Sequence, residues 1–316
     1  MENRVVPKVK VTILFLTFNQ ENFVKESALS CLAQIGDPLE IIFSDDCSTD
    51  NTFAILQEAT QNYNGPHQVV LRQNMHNLGI ADHYNTLVKL AKGDLLITAA
   101  GDDFSYPNRA QTLLNVWLSS GCKLDLIASH ARAITYGGQD KNKLLKVDQL
   151  ARWNGPADWC KKRPYVVGAT HAFTKRIWTE FGDIASEALY EDQIITLRAL
   201  CLGGALTVQT PLLSYRAGGI SSKGSSESSN QRHINIETRY LRQQAVFSQV
   251  HIDLVRAGHA ELWKGKVKKY WVRAQVALQL LQWHRKRLNP SIEELLHIMR
   301  QCGIFWTIRQ LFYISR

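Results

Sequence analysis

Apolar residues follow two alternating rhythms through the amino-terminal part of the chain. Val11 to Leu16, Leu39 to Phe43, Val69 to Leu71 and Leu95 to Ala99 are short runs without polar alternation, the mark of strands buried on both faces. Between them the spacing becomes helical. Val24, Ala28, Cys31 and Ile35 form one stripe, a polar-capped helix is expected from about Asn51 to Tyr63, and Ile80, Tyr84, Leu87 and Ala91 form another stripe. The resulting βαβαβαβ order, with helix-length connections, predicts a parallel sheet with right-handed crossovers. In such a sheet the carboxyl ends of the first, second and fourth strands share one edge.

Beyond Pro107 the pattern predicts a helix over Ala110 to Leu118 and a strand over Leu124 to Ala128. An apolar stretch from Val166 to Phe173 is followed by a short helix from Ile177 to Phe181, ended by Gly182. A further helix opens at Glu191 and Asp192 with Ile194, Leu197, Leu200 and Cys201 inward, and a late strand covers Ala205 to Val208. Thr135 to Pro164 show no period and are expected to wander over the surface, one loop passing near the site. A Ser-rich link from Ser221 to Ser229 divides the chain into an α/β domain over 1–222 and a helical region over 230–316. In the latter, Ile236, Tyr240, Gln243 and Phe247 make one stripe and Val272, Val276, Gln279 and Trp283 another.

Charge adds a feature that the pattern alone does not show. The net charge is +9, yet residues 228–316 hold 15 Lys+Arg against 5 Asp+Glu, so the remaining 227 residues are close to neutral. Clusters at Lys264 to Lys269 and Arg285 to Arg287 lie beside Trp263, Trp271, Trp283 and Trp306. Cationic helices with aromatic residues suit an anionic membrane surface; a bundle with packed tryptophans and solvated cations is the alternative. No run reaches the roughly 18 apolar residues of a membrane span. The first residues lack the apolar core of a secretion signal, so the expected location is the cytoplasm, with the tail peripheral on the inner face of the membrane. Six scattered cysteines with no Cys-Xaa-Xaa-Cys are expected to be reduced thiols.

The chemistry-bearing residues collect at the strand ends. After Gly101 the fourth strand delivers Asp102 and Asp103, whose hard oxygens suit Mg2+ or Mn2+ and, through the ion, a diphosphate. A solvated turn or a helix N-cap is the alternative. The first strand ends in Thr17-Phe18-Asn19-Gln20-Glu21, without the glycines that a dinucleotide-binding turn needs, and the second runs into Ser44-Asp45-Asp46. Glu191 and Asp192 on their own are ordinary partners of a helix dipole.

Taken together, Leu16 to Glu21, Ser44 to Asp50, Gly93 through Asp102-Asp103 to Pro107, and Glu191-Asp192 followed by Arg198 and Gly203 resemble the inverting glycosyltransferases of family 2, which have the GT-A fold. The resemblance implies a mostly parallel sheet flanked by helices, with a carboxy-terminal helical extension. It places Thr17, Asn19 and Asp45 around a uracil or thymine, with Glu21 also on the donor side. Asp102 and Asp103 would share the ribose hydroxyls and a divalent cation, and Asp192, favoured over Glu191, would be the general base. Gly168 and His171 fall on the acceptor side, with a buried structural histidine as the other reading. Arg216 would meet the diphosphate or cap the sheet. The family's usual Asp-Xaa-Asp-Asp has Ala100 in place of its first Asp, one oxygen ligand fewer.

The implied activity is transfer of a sugar from a UDP- or dTDP-sugar to a hydroxyl of a glycan or lipid-linked acceptor, in cell-surface polysaccharide synthesis. A nucleotidyltransferase of nucleotide-sugar synthesis would want a Gly-rich loop with a basic residue after the first strand. A nucleic-acid-binding protein could use the cationic tail. However, the acid-lined amino-terminal domain would repel a phosphate backbone, so no nucleic-acid partner is expected.

Overall fold

The computed structural model describes residues 11–216, 229–288 and 290–314. The expected alternation is present: β1 (Val11–Thr17), α1 (Val24–Leu32), β2 (Glu40–Asp45), α2 (Thr52–Gln61), β3 (Gln68–Gln73), α3 (Gly79–Leu90) and β4 (Leu95–Ala100). After it come β5 (Phe104–Ser105), α4 (Arg109–Ser119), β6 (Leu126–Ile134), β7 (Asp140–Leu145), α5 (Pro156–Lys161), β8 (Ala172–Thr174), α6 (Arg176–Phe181), α7 (Glu191–Cys201) and β9 (Ala205–Arg216). Four helices close the chain: α8 (Ser229–Arg256), α9 (Lys266–Arg285), α10 (Ile292–Cys302) and α11 (Ile304–Ile314).

The strands form one sheet in the order β3-β2-β1-β4-β8-β6-β9-β5, with β7 paired to β6. β3, β2, β1 and β4 run parallel, whereas β8 is antiparallel to both β4 and β6, and β6 and β9 are again parallel. Register then does the positioning. Thr17 pairs with Asp45 and Leu16 with Ala100, so three strands stop level with one another. Ile134 pairs with Arg216, which brings the end of β9 to the same edge.

The stretch from Thr135 to Pro164 is more regular than its sequence suggests. Residues 140–144 of β7 are all exposed, so no hydrophobic period marks the strand, and it is held by its hydrogen-bonded pairing with β6. α5 is a single short helix within the same stretch.

Two apolar layers cover the sheet. Phe15, Phe43, Leu56, Ile97 and Leu113 belong to one, and Leu14, Leu87, Phe173, Ile194 and Trp178 to the other. The second layer does not end with β9: Val246, Phe247, Val250 and Leu254 of α8 are part of it. The Ser-rich link, apart from Ser229, lies outside the described residues. The later half of α8 is nonetheless a wall of the α/β core, while Ile236 and Tyr240 join α9 to α11 in a smaller cluster.

A buried ion pair fastens α7 to α8. Arg198 Nε lies 2.8 Å from Asp253 Oδ2, both side chains fully buried, and the same guanidinium donates to the carbonyls of Gly182 and Asp183. Gly203, at the end of α7, is explained by space: an added Cβ would lie 1.8 Å from the Lys123 carbonyl oxygen. Removing one member of a buried pair strands the other charge, at a cost of about 3–5 kcal/mol. Asp253→Ala is therefore expected to lose about that much in urea denaturation, and a loss below about 1 kcal/mol would show that α8 is not part of the core.

Candidate active site

The site begins where β1 and β2 stop. The Asn19 backbone N–H donates to Ser48 Oγ (2.8 Å) and its side-chain oxygen accepts from the Thr49 N–H (2.8 Å). Glu21 accepts from the backbone and side chain of Asn51. The two loops are thus stapled to each other. Asp45 is fully buried; its Oδ2 accepts from the Ser48 N–H and from Gln73, and its Oδ1 from the Ser48 hydroxyl. Its neighbour Asp46 accepts from the backbone N–H groups of Leu78 and Gly79 and so holds the start of α3. Asn19 (φ 50°), Cys47 (φ 60°) and Tyr190 (φ 73°) are non-glycine residues in left-handed conformation, and all three flank this sheet edge. Such residues cost of order 1–3 kcal/mol and concentrate at functional sites.

At the end of β4, Gly101 allows the loops to close together, because a Cβ there would lie 2.4 Å from both Thr17 Oγ1 and Gln20 Oε1. Asp102 and Asp103 follow. Asp103 Oδ1 accepts from the Arg216 N–H (2.9 Å), whereas its Oδ2 is buried with no hydrogen-bond partner. Burial first, and the neighbouring Asp102 second, push the Asp103 carboxyl up to about 8. Burial also raises Asp102. A carboxylate oxygen buried without a partner, beside a second carboxylate, fits a cation. Among the described residues no group of three or more His, Cys, Asp or Glu could hold a metal ion.

Arg216, an expected phosphate contact, is engaged by the protein itself. It donates to the carbonyls of Asp102, Thr135 and Tyr136 and to Glu26 (2.9 Å), and its guanidinium lies 4.6 Å from the centre of the Phe23 ring. These contacts tie the acid turn to α1 and to the β6–β7 hairpin.

The second acid pair opens α7. The turn at Gly168–Thr170 packs directly on it: a Cβ on Gly168 would lie 3.3 Å from Asp192 Cβ and from Glu191 Oε1. Burial, then Asp192, raise Glu191 to about 8, while burial raises Asp192 to about 6 against a hydrogen bond from the Gln193 N–H (2.7 Å). His171, expected on the acceptor side, is fully buried with neither ring nitrogen hydrogen-bonded, and burial lowers it to about 3.

Three residues at the site carry no local sequence signal for function. Arg109 is buried at the start of α4, donating to Ser105 and to the carbonyls of Thr98 and Ala169, with its charge felt by Asp103 and His171. An arginine in line with Leu113 and Trp117 on the inward face of a helix was the available clue. Tyr84 donates to Thr98, and burial, then Glu191, raise its hydroxyl. Tyr215 is raised by burial and then by Asp103, Asp102, Tyr165 and Asp192. Tyr215 thus lies within electrostatic reach of Asp103, Asp102 and Asp192.

Residues 12–155 match the model of the family described as Glycosyl transferase family 2. Over that segment, a little under half of the chain, the sequence is similar to that family. EpsE of Bacillus subtilis (strain 168) is 33% identical over 102 residues, 32% of this chain and 36% of that protein. In several curated relatives the aligned segment is only 27–36% of the relative's own length. Two solved structures share the GT-A fold across nearly the whole chain. S. aureus TarS 1-349 with UDP aligns over 97% of this chain and 91% of that one (TM-score 0.57, 14% identity). The mannosyltransferase PcManGT from Pyrobaculum calidifontis, with GDP-Man and Mn2+, aligns over 97% and 86% (TM-score 0.56, 15% identity).

At the start of α7 the Asp192 carboxyl opposes ionisation of Glu191. Asp192→Asn removes one of the two causes that raise Glu191, so the Glu191 titration followed by carboxyl NMR is expected to move down from about 8. An unchanged titration would show that the two groups do not share one site.

Proposed function

We propose that the protein transfers a sugar, with inversion, from a UDP- or dTDP-sugar to a hydroxyl of a glycan or lipid-linked acceptor, and that it serves cell-surface polysaccharide synthesis. The observation that carries this reading is that the turn packed against Glu191 and Asp192 is tied through Arg109 to β4, the strand that leads into Asp102 and Asp103. Inversion calls for a base on one side of the anomeric carbon and charge stabilisation on the other. TarS has been solved with UDP and with UDP-GlcNAc, which supports a uridine donor here.

Thr17, Asn19, Glu21 and Asp45 belong to the nucleoside end of the site. Asp102 and Asp103 would hold a divalent cation, Mn2+ or Mg2+, which when bound would offset the charge developing on the departing diphosphate. On the other side, the Gln193 N–H holds Asp192 Oδ1 and leaves Oδ2 to take the acceptor's proton. With Glu191 at about 8 and Asp192 at about 6, one carboxyl is protonated and the other ionised near neutrality. Environments that separate two carboxyls in this way assign their roles. Glu191 in its neutral form does not repel a proton-accepting Asp192. Gly168 lets the acceptor-side turn approach both.

The tail supports a peripheral place at a membrane. No helix among the described residues is long and apolar enough to cross one. However, α10 and α11 expose Ile292, Leu296, Ile304, Ile308 and Phe305, the last 92% exposed, with Arg300 and Arg309 on the same helices. Apolar residues flanked by cations suit an anionic lipid surface.

Asp192→Asn is expected to lower transfer about 10²- to 10⁴-fold while UDP affinity by calorimetry stays within about twofold, and Asp103→Ala to weaken Mn2+-dependent UDP binding at least about tenfold. Because the base acts ionised, the wild-type rate is expected to rise with pH through about 6. Wild-type turnover in the Asp192 variant, or unchanged UDP affinity in the Asp103 variant, overturns the assignment concerned. For the tail, Phe305→Ser with Ile308→Ser is expected to abolish sedimentation with phosphatidylglycerol vesicles, and undiminished sedimentation rules that surface out.

A further inference from the structure

Next to the candidate base lies a cavity of about 830 Å³, walled by residues 159–165, the start of α7, and α8 and α9. Its size falls within the roughly 300–1,000 Å³ of small-molecule sites. Its chemistry is one-sided. Lys161, Lys162, Arg163, Arg239 and Lys266 line it, and no carboxylate does among the described residues. Three of its tyrosines keep open surface: Tyr165 (54%), Tyr190 (55%) and Tyr270 (37%).

The cations are held in place. Arg163 lies over the rings of Phe247 and Tyr270, 5.4 and 5.5 Å from their centres, and Lys266 Nζ donates to the Lys161 carbonyl at 3.3 Å. Lys161 itself is paired with Asp158. Two further lining groups are left without partners. Trp159 is 1% exposed and its indole Nε1–H meets no acceptor; Gln193 donates through Nε2 to the Pro164 carbonyl, while its buried Oε1 accepts nothing. A buried donor and a buried acceptor, both orphaned, ask for a polar ligand.

We propose that this cavity is an acceptor subsite for an acidic glycan, its lysines and Arg163 facing carboxylate or phosphate groups and Tyr165 and Tyr190 stacking on sugar faces, while Tyr270 is itself stacked on Phe247. The inference rests on the transferase reading above, since the cavity adjoins Asp192 through Gln193 and Tyr190. Cations and aromatic rings around a concavity select an anion with apolar faces, which a sugar ring bearing an acidic group provides. A lipid surface is the poorer match, because Trp159, Val246, Phe247 and Val267 are buried at the cavity wall and offer no protruding face. The acidic chain would enter across the tail, and the hydroxyl to be glycosylated would lie at Asp192. This gives the cationic excess of the tail a role at the catalytic centre.

The test uses the full chain and the double variant Lys162→Gln/Lys266→Gln, both side chains exposed. Tetragalacturonate, a glycerol phosphate tetramer and neutral maltotetraose are titrated in turn by calorimetry, and UDP with Mn2+ serves as a separate check. The expected result is that at least one anionic probe binds more tightly than maltotetraose, weakens as salt rises, and loses about tenfold in affinity in the variant. Which anionic probe does so identifies the acidic group. The proposal is overturned if neither exceeds maltotetraose or if the variant binds as the wild type does. It is also overturned if the substitutions remove adsorption to phosphatidylglycerol vesicles without changing oligosaccharide binding. Failure of the wild type to bind UDP would count against the transferase reading alone, and the oligosaccharide titrations would still decide the cavity.

Discussion

Carboxylates held with too few partners set the character of this molecule. Asp103 keeps one oxygen unpaired in the interior, and Glu191 rises to about 8 beside Asp192. Leaving a buried anion unmatched is costly, so such groups are neutralised by protonation or by a ligand. A fold that keeps both acid pairs at one sheet edge is therefore poised for charge to arrive. In the proposed reaction the nucleotide's cation meets one pair and the acceptor's proton meets the other.

The rest of the architecture keeps these acids from being quenched or dispersed. Level strand ends bring Thr17, Asp45 and the turn after Ala100 together, and Gly101 permits the contact. Arg216 gathers the acid turn, the β6–β7 hairpin and α1, and its one hydrogen bond to Asp103 comes from the backbone N–H. Its guanidinium offsets the Asp103 charge only in part, since burial and Asp102 still hold that carboxyl up at about 8. On the other side, Arg198 and Asp253 fasten α7 to α8, so the helix that presents Glu191 and Asp192 leans on the tail. The carboxy-terminal region is in this sense part of the framework that holds α7, and in the proposed reaction the cavity between them brings the tail's charge to the acceptor.

Much of this was legible in the sequence because it is local. Continuous apolar runs and helical stripes identify β1 to β4 and their helices, and acids placed just after a strand declare their own edge. What was not legible depends on distant segments meeting. β7 has no hydrophobic period because its residues 140–144 all face water and only its pairing with β6 makes it a strand. Tyr215 looks like an ordinary strand residue until the fold sets it between Asp102, Asp103 and Asp192. Arg216 was open to two roles from its position, and its partners, Glu26 and Tyr136 among them, come from far along the chain. The Ser-rich link suggested a separable tail, yet Phe247 and Leu254 lie in the same apolar layer as Leu14 and Ile194.

The central claim is spatial: one cleft, a diphosphate at the Asp102 and Asp103 side, and a base facing it from α7. A crystal structure with UDP and Mn2+ tests it most directly. The account predicts the metal in contact with Asp102 or Asp103 and the Asp192 carboxylate across a gap that a sugar ring can fill. Nucleotide density in the basic cavity beside α9, or a metal far from both aspartates, would contradict it.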